Sequence, residues 1–312
     1  MANMNKRVAV MDLGTNTFHL LITEGSIADH VILEHEHTAV RLGEGGINKG
    51  IIQPEPFARG LATMQQFKQL LNKHMVDCVR TIATSALRNA GNGQDFIRQV
   101  KELTGIQIEI IDGDTEAGLI YQGIKASGCL SASDTLIMDI GGGSVEFILG
   151  NNDGIIWKQS FEIGAARLMD KFHQTDPIPT ASITQLNTYL EEKLIPLFEA
   201  VSNNKVDTLI GSSGAFETFT ELIEKPKDPS FRLKDVRNYL FNTDELISIT
   251  DNVIASSHQQ RATNPAIIPV RVDMIVVASL ITRFVMQRLN IANIAMSTYS
   301  LKEGVLAVEL AH

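Results

Sequence analysis

The chain has 312 residues, with 27 Lys and Arg against 36 Asp and Glu and a net charge of −9, so it lacks the basic surface that non-specific nucleic-acid binding requires. Hydrophobic residues make up 44% of it, enough for two domains of ordinary size and too many for a disordered chain. No window of eighteen uncharged apolar residues occurs, which excludes a membrane-spanning helix, and two cysteines, Cys78 and Cys129, make neither a disulfide framework nor a metal motif.

The opening MANMNKRVAVMDLG is basic, but Asp12 interrupts its apolar run too early for a signal peptide; the expectation is a soluble, cytoplasmic protein. Residues 7–24 read as an apolar strand, a turn over Gly14–Thr17 and a second strand, and residues 30–40 as a third. VRLGEGGINKG, 40–50, is a glycine-rich loop. From Pro54 to Met75, Phe57, Leu61, Met64, Phe67 and Leu71 recur at helical spacing behind N-terminal prolines. CVRTIATSALR gives a strand and then a loop that carries Arg88. DFIRQVKELTG is a helix closed by Gly105, IQIEIID a strand, and TEAGLIYQGIKA a helix with Asp114 as its cap.

The order then begins again. DTLIMDIGGGSVEFILG and IIWKQSFEIG read as strands, helices follow near 165–173 and 182–202, and VDTLIGSSGAFETF runs from a strand through a Gly/Ser turn into a helix. The segment 225–228 is a surface loop, 271–289 an apolar helix opened by Arg271 and Asp273 as surface charge and cap, and SLKEGVLAVEL a last helix with Ser300 and Glu303 at capping-box spacing. Strands alternating with helices indicate an α/β fold.

VAVMDLGTNTFHL, 8–20, and TLIMDIGGGSVEF, 135–147, superpose: Met11 falls on Met138, Asp12 on Asp139, Gly14 on Gly141 and Thr17 on Ser144. Such duplication predicts two related domains with matching half-sites facing a cleft, the boundary lying near residue 124 in YQGIKASG. A tight glycine turn crowds backbone N–H groups together without side chains, which suits phosphate oxygens. Thr15, Thr17 and Ser144 add hydroxyls, and Gly211, Ser212, Ser213 and Gly214 form a third such turn. An acid before each turn makes sense when a hard cation separates it from phosphate. Mg²⁺ needs only one or two carboxylates besides phosphates and water. Asp12 and Asp139 are the candidate ligands, and Glu146, on the same strand face as Ser144, joins them.

Arg88 offers a bidentate fork for phosphate, and Arg41 in VRLGEG is a weaker candidate. Taken locally, Glu116 is a first-turn glutamate that favours its helix dipole. EHEH, 34–37, reads as a polar strand face without the further ligands a metal needs, and Trp157 as packing.

DLGTNTFHLLI, VRLGEG, ATSALRNAGNG, IIDGDTEAGLIYQG, LIMDIGGGSVEFILG, LIGSSGAFETF and STYSLKEGVLAVEL, in that order, resemble the exopolyphosphatase / guanosine pentaphosphate phosphatase (Ppx/GppA) family from about residue 7 to 310. The resemblance implies two ribonuclease H-like α/β domains of the actin/sugar kinase/Hsp70 superfamily around a phosphate cleft, here 1–124 and 125–312, with the last helix, about 300–312, packing back on the first domain. It implies that Glu116 is the base that activates water, overriding the local reading. Asp139 and Glu146 match the acids associated with Mg²⁺ and the attacking water. Asp12, Gly14, Asn16 and Thr17 match the first phosphate loop, Gly141, Gly142, Gly143 and Ser144 the second, and Arg88 the phosphate-binding arginine. Thr15 and Thr17 stand where the motif usually has serines, and Thr115 replaces the first of a familiar glutamate pair. Longer members carry extra helical domains, so this chain resembles the short type, and a homodimer is a family expectation only.

The activity implied is exopolyphosphatase: hydrolysis of the terminal phosphoanhydride of inorganic polyphosphate. Guanosine pentaphosphate (pppGpp) 5′-phosphohydrolysis presents the same terminal group. An actin-like ATP-dependent kinase or nucleotide switch is the alternative of another class, which the TEAGLIYQG helix with Glu116 fits less well.

Overall fold

The computed structural model describes residues 6–26 and 29–311; the N-terminal five residues of the segment weighed as a signal peptide, and His312 at the end of the last expected helix, lie outside them. In chain order the elements are β1 (Arg7–Leu13), β2 (Phe18–Gly25), β3 (His30–Thr38), α1 (Pro54–Lys73), β4 (Cys78–Ala83), α2 (Ser85–Asn89), α3 (Gly93–Thr104), β5 (Glu109–Ile110) and α4 (Gly113–Ser127). There follow β6 (Thr135–Ile140), β7 (Val145–Gly150), β8 (Ile155–Phe161), α5 (Ala165–Phe172), α6 (Thr180–Lys193), α7 (Ile195–Ser202), β9 (Thr208–Ser212), α8 (Ser213–Glu224), β10 (Asn238–Leu240), α9 (Thr243–Ala255), α10 (His258–Ala262), α11 (Met274–Leu289), β11 (Asn293–Ser297) and α12 (Leu301–Leu310).

The chain forms two units, one holding the segment up to Ala126 together with that from Leu301, the other Ser127–Ser300. The first unit has a five-stranded sheet ordered β3-β2-β1-β4-β5. β1 pairs antiparallel with β2 and parallel with β4, so it is central, and Val8, Ala9, Val10, Met11 and Leu13 are all buried. A strand covered on both faces reads as a continuous apolar run, as this one does. The core gathers Phe18, Leu20, Met64, Phe67 and Phe96 against it. α12 packs within this unit, where a Cβ on Gly304 would stand 1.8 Å from the Leu119 carbonyl oxygen of α4.

The second unit repeats the order and adds one antiparallel strand: β10-β11-β9-β6-β7-β8. In each unit three antiparallel strands, the first of them central, are extended by parallel ones. That is the ribonuclease H-like arrangement of the actin/sugar kinase/Hsp70 fold. β6 takes the place of β1 and is buried throughout, and Phe147, Phe216, Phe219 and α11 fill the core.

Three expected elements differ. Arg88 lies on the short helix α2, not in a loop. Of IQIEIID only Glu109 and Ile110 pair, with Ile82 and Ala83. The helix expected over 182–202 is two, α6 and α7, separated at Leu194 because Pro196 lacks the N–H an uninterrupted helix needs.

In the second unit Arg261 is fully buried and joins three segments. It donates to Val272 O at 2.6 Å and to Ser256 O, and pairs with Asp176. Asp273 makes no side-chain cap on α11; it meets His258 Nδ1 at 2.6 Å instead. The His173 side chain, only 3% exposed, stands 3.5 Å from Asp176. Burial holds its imidazole below the ordinary 6.5; the Asp176 and Asp273 charges oppose this and the Arg261 charge adds to it. A depressed histidine contributes stability that is present above 6.5 and lost as pH falls through its folded value. The melting temperature of the protein is therefore expected to fall between pH 7 and 5, and His173→Leu to flatten that slope in a thermal-shift titration.

Candidate active site

In the first unit Asp12 is the penultimate residue of β1, directly opposite His19 on β2. Gly14 N–H then donates to Thr17 O at 3.1 Å and closes the turn. The carbonyls of Thr15 and Asn16 accept from the N–H groups of Gly43 (3.1 Å) and Arg41 (2.7 Å). In a planar trans peptide the N–H points opposite to the carbonyl. The N–H groups of Asn16 and Thr17 are accordingly turned away from the 41–43 segment. Arg41 itself is held in the left-handed region, φ 51°, with Glu44 at 3.9 Å.

Glu116 occupies the first turn of α4. Asp112, not Asp114, caps that helix: its Oδ1 accepts from Thr115 N–H at 2.8 Å and its carbonyl from Glu116 N–H at 3.0 Å. Arg88 Nη1 donates to Glu116 Oε2 at 2.9 Å and to Ile111 O at 3.0 Å. The two side chains are 16% and 8% exposed, so the pair is a charge-assisted bond largely withdrawn from water. Two of the sequence-predicted groups, far apart in the chain, are thus brought into contact inside one unit.

In the second unit the same turn recurs, Gly141 N–H donating to Ser144 O at 3.0 Å. The carbonyls of Gly141, Gly142 and Gly143 accept from Ala165 (2.9 Å), Ala166 (2.9 Å) and Gly164 (3.1 Å) at the start of α5. By the same planarity, the N–H groups of Gly142, Gly143 and Ser144 are turned away from α5, a run of donors of the kind that binds anions. Gly164 and Ala166 do for Gly143 and Gly142 what Arg41 and Gly43 do for Asn16 and Thr15, so the duplication reaches one segment further than the turns themselves.

Asp139 and Glu146 are direct cross-strand partners, 6% and 1% exposed. Ser212 Oγ donates to Asp139 Oδ2 at 2.5 Å and Ser160 Oγ to Glu146 Oε1 at 2.6 Å. Two carboxylates opposite one another repel unless a cation lies beside them. The first unit breaks the symmetry by placing His19 where the second has Glu146. Among the described residues no group of three or more His, Cys, Asp or Glu converges to hold a metal unaided. A carboxylate pair is nevertheless the donor set that suits Mg²⁺ bound together with phosphate, so these residues fit the ion.

The turn expected at 211–214 is tighter than an open phosphate loop. Gly211 and Ser212 belong to β9, and a Cβ on Gly211 would lie 2.2 Å from the Phe216 ring. Ser212 serves Asp139, Ser213 (φ 65°) donates to Ile140 O at 3.1 Å, and Gly214 abuts the Arg271 guanidinium. Arg271 is not a surface charge: it bonds Glu217 at 2.7 Å and Thr218 at 3.0 Å. Sequence reasoning missed Ser160, Asp112 and Arg167, whose Nε donates to Gly143 O at 3.0 Å. The signal for Arg167 was available: GAAR follows its strand as VRLGEG follows β3. EHEH stays a polar strand face, with Glu34 on His74 (3.0 Å) and His37 stacked on His19.

Residues 22–312 match the model of the Ppx/GppA phosphatase family. The chain belongs to that family. It is 26% identical to exopolyphosphatase 2 of Mycobacterium tuberculosis, with 98% of each chain covered. A crystal structure of an exopolyphosphatase from Cytophaga hutchinsonii aligns with a TM-score of 0.95 at 40% identity, again over 98% of both chains. The Aquifex aeolicus Ppx/GppA enzyme shares the fold, with a TM-score of 0.80 at 22% identity over 97% of this chain and 99% of that one. Among the described residues no helix is long and apolar enough to cross a membrane.

Proposed function

We propose that this member of the Ppx/GppA phosphatase family is a cytoplasmic exopolyphosphatase. It hydrolyses the terminal phosphoanhydride of inorganic polyphosphate, and orthophosphate is released with the chain shortened by one unit. The observation that carries this is the part-buried pair of Arg88 on α2 with Glu116 in the first turn of α4; the 40% identical exopolyphosphatase supports it. Glu116 takes a proton from water as the oxygen attacks the terminal phosphorus and the bridging P–O bond breaks. Arg88 fixes the carboxylate, and its guanidinium fork is of the kind that suits phosphate oxygens. Each loop supplies its own N–H donors, those of Asn16 and Thr17 in the first unit and those of Gly142, Gly143 and Ser144 in the second, and such donors suit the charge on phosphate oxygens. Asp139 and Glu146, cross-strand partners in the second unit, would hold Mg²⁺. When bound, the ion neutralises phosphate charge.

A substrate panel tests this: phosphate release from tripolyphosphate, long-chain polyphosphate, pppGpp and ATP, each with Mg²⁺ and with EDTA. Release from polyphosphate that EDTA abolishes is the expected result. Preference for pppGpp would move the chain to the guanosine pentaphosphate side of the family. Phosphoryl transfer from ATP to an acceptor without release from polyphosphate would overturn the proposal.

A further inference from the structure

Behind the second glycine loop stands a cation that the chemistry above does not use. Arg167 lies in the first turn of α5, its side chain 14% exposed, with Nε on Gly143 O at 3.0 Å and a terminal nitrogen on Glu162 Oε2 at 2.6 Å. A positive side chain in a helix's first turn opposes the macrodipole, so local stability does not account for it. Nor does the loop need it for its shape. Backbone N–H groups already occupy the carbonyls of Gly141, Gly142 and Gly143, and Gly164 N–H at 3.1 Å shares the Gly143 oxygen with Arg167.

What the guanidinium adds is charge at one end of a single peptide group, the one joining Gly143 to Ser144. A carbonyl that accepts a charge-assisted bond polarises its peptide, and the N–H at the other end becomes a stronger donor. That N–H is Ser144's, the last of the three turned away from α5. Glu162 Oε2 accepts from the guanidinium at 2.6 Å and restrains it.

We propose that Arg167 is a positioning residue for phosphate: through the Gly143–Ser144 peptide it strengthens and aims the donors of the second loop. This rests on that loop's being the phosphate loop.

The test compares wild type with Arg167→Gln, Arg167→Lys and Glu162→Gln. Three quantities are read for each: orthophosphate affinity by calorimetry with Mg²⁺, kcat and KM on tripolyphosphate, and melting temperature. Arg167→Gln is expected to weaken orthophosphate binding and lower kcat/KM by about tenfold or more, the worth of one charge-assisted bond. Its melting temperature holds or rises, since a cation has left the helix N-terminus. Arg167→Lys recovers part of the affinity, and Glu162→Gln falls between. Affinity and kcat/KM within about twofold of wild type for Arg167→Gln, or a melting temperature that falls in step with activity and no rescue by lysine, would overturn the inference, as would absence of orthophosphate binding in every protein. If wild type releases no phosphate from any polyphosphate, the proposed function fails by itself, and the calorimetric comparison still decides the role of Arg167.

Discussion

Glu116→Gln is expected to lower kcat for phosphate release from polyphosphate by about two to four orders of magnitude, the usual worth of a positioned general base, while KM stays close to that of wild type. The amide keeps the size of the carboxylate, and its oxygen still accepts from Arg88 Nη1, now 2.9 Å from Oε2. What disappears is the capacity to take a proton. One charge-assisted bond becomes a charged–neutral one, which costs roughly 1–2 kcal/mol, so a modest drop in melting temperature accompanies a large loss of turnover. Glu116→Asp sharpens the test. It retains the charge but withdraws the carboxylate by one methylene from Arg88, and slow turnover is again expected because positioning supplies much of the acceleration. Steady-state kinetics on tripolyphosphate alongside thermal melts would check both variants. Turnover near wild type in Glu116→Gln would move the base elsewhere.

The central strands and turns were readable because both faces of β1 and β6 are covered. A doubly buried strand leaves an apolar run that ends abruptly at an acid and glycines, and its second occurrence fixed the register of the first. The same logic failed where structure depends on partners distant in sequence. IQIEIID alternates like a strand, but only the two residues level with Ile82 and Ala83 find a ladder. α2 spans only Ser85–Asn89, too short to show a period, so Arg88 read as a loop residue. The pairing of Arg88 with Glu116 was invisible without the fold, since neither local sequence hints at the other. Ser212 looked like a phosphate donor because hydroxyls beside glycine suggest one. In the structure β9 lies parallel to β6, and that register sets Ser212 against Asp139. The cap of α4 slipped from Asp114 to Asp112 because both acids precede the helical run, and only the hydrogen bond to Thr115 N–H distinguishes them.

The two turns are copies in backbone and not in charge. Gly14 and Gly141 close equivalent turns at 3.1 and 3.0 Å, yet Asp12 faces His19 where Asp139 faces Glu146. A carboxylate beside an imidazole carries less negative charge than a carboxylate pair, so a divalent cation would be drawn more strongly to the second unit. The backbone donors recur in both units and the side chains beside them differ: a carboxylate pair in the second, and Asp12 with His19 in the first, which also carries Arg88 and Glu116.

Gly164→Ala should be a severely damaging single methyl at the second glycine loop. An added Cβ would lie 2.4 Å from the carbonyl carbons of Gly142 and Gly143 and 2.5 Å from Gly142 O. Those atoms are backbone, so no rotamer change relieves the contact; the loop itself must move by about 1 Å. A displacement of that size at a reacting centre is worth roughly a hundredfold in rate, and overpacking adds about 1–3 kcal/mol of instability. Neighbouring glycines grade the effect. Gly14→Ala and Gly141→Ala each bring a Cβ to 3.0 Å from a single carbonyl oxygen and should be milder. Gly154→Ala meets nothing within 4 Å and should leave activity unchanged, which separates loss of the nest from a general dislike of substituted turns. Measured as kcat/KM on tripolyphosphate beside melting temperature, the order is expected to be Gly164, then Gly141 and Gly14, then Gly154. A Gly164→Ala protein as active as Gly154→Ala would mean that the N–H groups of Gly142, Gly143 and Ser144 bind nothing that matters to the reaction.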